Sequence, residues 1–393
     1  MIPSILPTYN RAPMNFVKGE GSWLIEADGR RFLDLGAGIA VNCLGHAAPE
    51  LVEALTDQAG KLWHTSNLYG IPNQQRLADL LVEHTFADTA FFTNSGTESC
   101  ELAVKMARKY HFEKGAPERV EIITFTGSFH GRSAAGIAAA ASDKMTRGFG
   151  PLLPGFVNLP WGDHDATRAA ITDTTAAILI EPIQGEGGIN PLPKECLQGL
   201  RELCDAHGIL LILDEVQCGM ARTGRLFAHE WAGVTPDIMM VAKGIGGGFP
   251  LGAVLATEEA ASGMGAGTHG STYGGNPLAC AVGIRVMEIT SDPDFLAEVS
   301  RKAGRFRQGL EGVVAAHPEV FEYVKGEGLM LGLKCKAPVP EVGAACLAEE
   351  LLTVGAGDNT MRLLPALNIP DADIDEALAR LDRAAASLKG ESP

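Results

Sequence analysis

Six short apolar runs, set between helix-like stretches, constrain this chain more than any other feature. They occupy residues 89–93, 121–125, 176–181, 209–213, 238–241 and 253–256. Each is too short for a buried helix, and none shows the polar alternation of a strand with one wet face. Runs of this kind belong to strands covered on both sides, and the helical stretches between them supply the cover. The rhythm predicts an α/β fold built on a large, mostly parallel sheet. Ligands of such sheets bind outside the carboxyl ends of the strands, so the residues after each run are where chemistry is expected.

The run at 209–213 ends on Asp214-Glu215, and the run at 238–241 ends just before Lys243, at the mouth of the glycine-rich loop 244–248. An acid and an amine delivered from two strand ends suit pyridoxal phosphate. Its aldehyde condenses with a lysine, and a carboxylate holds its ring nitrogen protonated. An ordinary strand-end salt bridge would use the same pair. Ser95, Gly96 and Thr97 open a helix on which Cys100, Ala103, Val104 and Ala107 share a face. That makes either an anion seat for a phosphate or a plain N-cap. Phe129-His130-Gly131-Arg132 follows the 121–125 run. Its aromatic can stack on a flat ring and its guanidinium can fork onto a carboxylate, unless they are a core Phe and a surface Arg. Glu186 stands among glycines after the 176–181 run, and Ser271 and Thr272 precede a helix that begins near Pro277. A formal G-x-G-x-x-G at 265–270 follows polar, Ala-rich sequence rather than a strand, so it fails as a dinucleotide fingerprint.

The ends of the chain read differently. Residues 23–35 predict a hairpin with a type I′ turn at Asp28-Gly29. Helical spacing marks Leu51, Leu55, Ala59 and Leu62, then Leu77, Leu80 and Leu81. After about Pro293 come a long amphipathic helix (Leu296, Val299, Ala303, Phe306, Leu310) and paired strands at 320–324 and 329–333 across 325–328. A short strand at 362–364 and a closing helix (Ile374, Leu378, Leu381, Leu388) complete the chain. The expected division is a large domain over 51–290, with 1–50 and 291–393 combining into a smaller α+β domain. A net charge of −16 argues against nucleic acid or an anionic membrane as partner. No apolar run reaches the ~20 residues of a membrane span, and no signal peptide is evident, so a cytoplasmic protein is expected. The eight scattered cysteines contain no C-x-x-C and the ten histidines no H-E-x-x-H, which predicts neither disulfides nor a metal site.

FFTNSGTE (91–98), FHGR (129–132), EPIQGEGG (181–188), LILDEVQCGMARTG (211–224), AKGIGGGFPLGAV (242–254) and GSTYGGNPLA (270–279) follow one another along the chain. In that order they resemble the class III aminotransferases, pyridoxal-phosphate enzymes of fold type I, and within that class its acetylornithine branch. The likeness runs from about Gly19 to the last helix. It implies that Lys243 carries the cofactor and moves the proton, and that Asp214 pairs with the ring nitrogen. It sets Phe129 and Val216 on the ring faces, Gln217 and Glu215 beside the ring, and Ser95, Gly96, Thr97 and a partner subunit's copy of Thr272 at the phosphate. Arg132, with Ser271 nearby, would bind the distal carboxylate of the substrate. Arg362 would bind the α-carboxylate of glutamate and 2-oxoglutarate, and Glu186 would pair with that arginine when the other substrate is present. A homodimer with shared sites is implied. So is transfer of the δ-amino group of N2-acetyl-L-ornithine to 2-oxoglutarate, in arginine biosynthesis. Other ω-amines (ornithine, succinylornithine, succinyldiaminopimelate, 4-aminobutyrate) remain alternatives, as do, more remotely, a nicotinamide-dependent oxidoreductase and a non-enzymatic binding module. Ornithine-specific members carry a tyrosine where this chain has Gly38, which suits a bulkier N-acylated donor. Ala48 replaces a histidine usual in the class.

Overall fold

In the computed structural model, which describes residues 2–388, all six runs are strands and a seventh joins them at one edge. In chain order they are β1 (Thr89–Thr93), β2 (Glu121–Phe125), β3 (Phe156–Leu159), β4 (Thr175–Ile180), β5 (Leu210–Asp214), β6 (Ile238–Val241) and β7 (Gly252–Ala256). Across the sheet the order is β1-β7-β6-β5-β4-β2-β3. The pairs β6-β5-β4-β2-β3 are parallel, and β7 runs antiparallel to both of its neighbours. The fold class is therefore the one expected, α/β with a mostly parallel sheet.

Strands β4 to β7 are buried along their whole length, which is why they read as unbroken apolar runs. The sequence reading missed β3, FVNL, because its residues are only half-buried and the run is broken by Asn158. Successive residues of β5 serve opposite layers. Ile212 packs with Ala103, Val104 and Ala107 of the helix Gly96–Glu113. Leu211 and Leu213 pack with Leu197, Leu200 and Leu203 of the helix Lys194–His207 on the other face.

The two ends of the chain meet. The hairpin Trp23–Glu26 and Arg31–Asp34 forms as expected and gains Leu351–Leu352 as a parallel neighbour, Leu351 opposite Leu33. Its turn is not type I′, because Gly29 takes a left-handed φ of 90° and Asp28 does not. The Gly29 N–H instead closes a tight turn on Glu26 O at 3.0 Å, and the glycine makes a bulge. A second sheet orders Phe321–Glu327, Met330–Cys335, Thr360–Leu363 and Val354–Ala356 side by side. Its first strand runs on to Glu327, which pairs with Met330, so the turn expected at 325–328 shrinks to Gly328 and Leu329. The helix Pro49–Ala59 stops before Gly60, leaving Leu62 outside it and 48% exposed. All eight cysteines are free, and seven are buried. Among the described residues no helix is long and apolar enough to cross a membrane.

Candidate active site

Five strand carboxyl ends and one amino end converge on a cavity of about 360 Å³. Strand β1 contributes Asn94 to Thr97, β2 Phe129 to Gly131, β4 Glu181, β5 Asp214, Val216 and Gln217, and β6 Lys243. Because β7 is reversed, its start supplies Phe249, Pro250 and Leu251 to the same edge. Val41, from the head of the chain, completes the wall.

Asp214 points into the cavity, where Oδ1 accepts the Val216 N–H at 3.0 Å and Oδ2 meets His130 Nδ1 at 2.8 Å. Burial opposes a charge on the His130 imidazole. Its hydrogen bond to Asp214, with the charges of Asp214 and Glu181, more than offsets that and raises its pKa. Glu215 corrects an expectation. Consecutive residues of extended chain face opposite sides, so it turns away from the cavity. Its fully buried carboxylate accepts the N–H groups of Ala228 and His229, each at 2.7 Å. Burial pushes its pKa up to about 7 against those two donors.

Lys243 begins the turn Lys243–Gly246 with a left-handed φ of 51°, a strained conformation for a residue with a side chain and one that marks functional sites. Burial lowers its pKa and the Arg362 charge adds to the effect, against the pull of Glu186, so the amine loses its proton more readily than a free lysine. At the opposite wall Ser95 caps the helix Gly96–Glu113 by accepting the Glu98 N–H at 3.3 Å. Gly96 and Thr97 thus present the helix N-terminus to the cavity. A Cβ on Gly96 would lie 2.9 Å from Val216, so this close approach of two walls requires glycine.

Arg362, 1% exposed, binds Glu186 through both ends of its guanidinium, Nη1 to Oε1 at 2.5 Å and Nη2 to Oε2 at 3.2 Å. Nη1 also reaches Gln217 Oε1 at 3.3 Å, which ties the pair to the cavity wall. Glu186 and Arg132 line an adjoining cleft of about 910 Å³ that shares Phe129 with the cavity, and Arg132 lies 5.5 Å over the Phe129 ring. Ser271 and Thr272 do not line the cavity of their own chain. Ser271 Oγ instead accepts from Asn94 Nδ2 at 3.3 Å, and Thr272 is exposed. The sequence reading gave no role to His130, Glu181, Asn94, Val41 or Phe249. His130 and Glu181 sit inside motifs already singled out, and Glu181 is the one charged residue, the last, of the 176–181 run.

An amine, an acid, an aromatic wall and a helix N-terminus around one small cavity fit pyridoxal phosphate. The family model for aminotransferase class III matches residues 6–385. The chain belongs to the class III aminotransferases. These are pyridoxal-phosphate-dependent transaminases, and so is this chain. Among curated relatives, the acetylornithine aminotransferase of Rhodobacter capsulatus is 72% identical over 389 residues, covering 99% of each chain. Among solved structures, the N-acetylornithine aminotransferase of Stenotrophomonas maltophilia is 38% identical, with a TM-score of 0.86 over 98% of each chain. The ornithine aminotransferase of Toxoplasma gondii superimposes with a TM-score of 0.95 at 29% identity, over 99% of this chain and 94% of its own. Backbone shape therefore does not separate this chain from either enzyme.

Proposed function

We propose that this transaminase moves the δ-amino group of N2-acetyl-L-ornithine to 2-oxoglutarate, yielding N-acetyl-L-glutamate 5-semialdehyde and L-glutamate in arginine biosynthesis. The observation that carries this reading is the two-pronged pair of Arg362 with Glu186, beside the cavity that holds Lys243. The reacting carbon of acetylornithine bears no carboxylate, whereas that of glutamate does. An unpaired, desolvated guanidinium at that point would cost free energy with the first substrate and would favour α-amino acids as competitors. Glu186 neutralises it, and a swing of Glu186 into the adjoining cleft frees Arg362 for the α-carboxylate of glutamate.

The bound cofactor supplies the electron sink. Lys243 would hold it through its amine and would serve as the base that moves a proton, and its lowered pKa suits both tasks. Asp214 would keep a ring nitrogen charged, and Phe129, Val216 and Gln217, which line the same cavity, would hold the ring. Ser95, Gly96 and Thr97 seat the phosphate. Arg132 grips the carboxylate at the far end of either substrate. The working unit proposed is a homodimer in the cytoplasm, and the position of Thr272 outside its own cavity supports its serving the cavity of a second copy. The chain divides at about residues 50 and 290, into the large cofactor-binding domain and a smaller one from both ends.

Ornithine itself is the second reading, favoured by the close superposition on the Toxoplasma gondii enzyme. Gly38 speaks for the acylated amine. A panel of acetylornithine, ornithine, succinylornithine, succinyldiaminopimelate and 4-aminobutyrate, with 2-oxoglutarate as acceptor, tests the choice. The highest kcat/KM is expected for acetylornithine, and a higher value for any other donor would replace it.

A further inference from the structure

Between the cavity and the arginine pair lies a carboxylate without a role. Glu181 directly follows β4, is 5% exposed and lines the cavity. Its two oxygens go to two different loops. Oε2 accepts the Phe129 N–H at 3.1 Å, and Oε1 accepts the Gly185 N–H at 3.2 Å. The same loops meet again through Gln184, whose Nε2 donates to Thr126 O at 2.8 Å. They are so close that a Cβ on Gly187 would lie 2.6 Å from both Gly127 O and Gln184 Oε1. One loop carries Phe129 and the other carries Glu186.

We propose that Glu181 is a positioning residue that clips the Phe129 loop to the Glu186 loop, so that one carboxylate sets both the ring-stacking wall and the arginine pair. This rests on the roles proposed above for Phe129 and Glu186. Among the described residues no lysine or arginine forms an ion pair with Glu181. The charged groups facing it are His130, Asp214 and, across the cavity, Lys243, and the two backbone N–H groups are its direct partners. Burial raises its pKa, with Asp214 adding and His130 and the two N–H groups opposing. An amide would be easier to bury, but it has a single acceptor oxygen. Its NH2 end would face one of the two N–H donors, and that loop would have to move. The geometry asks for a group that accepts at both ends, whatever that group does to the stability of the fold.

Glu181→Gln in the full-length protein separates these effects. The thermal midpoint without cofactor is expected to stay within about 3 °C of wild type, because a buried charge is removed as one hydrogen bond is lost. Bound pyridoxal phosphate should be retained about tenfold less tightly in equilibrium dialysis, and its near-visible band should shift, because Phe129 no longer sits where it did. The single-turnover rate with acetylornithine should fall relative to the rate with glutamate, as Glu186 loses its setting. Wild-type retention and an unchanged donor ratio would overturn the proposal. So would a midpoint that falls in step with retention, which would mark Glu181 as an ordinary core group. Wild-type protein that takes up no pyridoxal phosphate, or a Glu186→Ala variant with an unaltered donor ratio, would instead remove the roles on which the clip rests.

Discussion

Lys243 combines two features that rarely coincide, a left-handed backbone and an amine whose pKa burial lowers. Strain of this kind persists only where the surroundings enforce it, and here it places the amine among Asp214, Phe129 and Gln217. Lys243→Ala should keep a hold on pyridoxal phosphate through the helix N-terminus at Gly96 and Thr97. It should lose the near-visible band and about three or more orders of magnitude in turnover, because nucleophile and proton carrier go together. Absorption spectra and steady-state rates check this, and substantial residual turnover would move the anchoring lysine elsewhere. Glu186 is a subtler case, since the role proposed for it is played through Arg362. Glu186→Ala leaves a cation that is 1% exposed without its carboxylate, so the acetylornithine half-reaction should slow about tenfold while the glutamate one is spared or improved. Single-turnover rates with each donor separately decide it. Equal losses would reduce Glu186 to a loop residue.

The elements that present these residues were legible to different degrees. Strands β4 to β7 announce themselves because burial on both faces leaves them apolar but for Thr175 at the start of β4 and Asp214 at the end of β5. The half-buried β3 does not, and the reversal of β7 is a matter of pairing that no local pattern encodes. Asp214 and Lys243 were readable as strand-end chemistry. The Glu186–Arg362 pair spans 176 positions and entered the reading only through a family resemblance. Least legible was the turn Ala37–Ala40, where Ala37, Gly38, Ile39 and Ala40 all take left-handed φ values, between 45° and 66°. Such a turn costs about 1–2 kcal/mol for each residue with a side chain, so a side-chain contact must hold it. That contact is Asp34, whose Oδ1 accepts the N–H groups of Gly36 (2.7 Å) and Ala37 (3.0 Å) while Oδ2 meets His46 Nε2 at 2.7 Å. Asp34→Ala should release the turn and let Val41 leave the cavity wall. Lost hydrogen bonds and relieved strain then partly cancel, so global stability should fall by no more than about 2 kcal/mol. Amide exchange over residues 36–42 should rise sharply, and unchanged exchange there would show that Asp34 does not hold the turn.

At the scale of the whole molecule, the proposed roles of Ser271 and Thr272 call for a second chain. Ser271 and Thr272 lie outside its cavity, on a surface that also exposes Tyr273 (62%). Asn67 binds this segment through Ser271 O and Gly274 O, each at 3.0 Å, next to Leu68 and Tyr69, which are 85% and 68% exposed. An apolar surface around a segment with a proposed site residue suits contact with a second copy, whose cavity would receive Thr272. Subunit mixing distinguishes service in trans from service in cis. Lys243→Ala chains supply an intact Thr272 but a dead cavity, and Thr272→Val chains supply an intact lysine but a weakened phosphate seat. If Thr272 acts in trans, each mixed dimer has one fully intact site, made of the lysine of one chain and the threonine of the other. An equal mixture allowed to re-equilibrate should then recover about a quarter of wild-type activity per chain, since about half the dimers are mixed and each has one good site of two. If Thr272 acts in cis, no combination unites both residues, and the mixture cannot exceed what the Thr272→Val chains contribute alone. Activity measured against mixing ratio, with the two homodimers as controls, reads the difference directly. A linear dependence on the Thr272→Val fraction would refute the shared site.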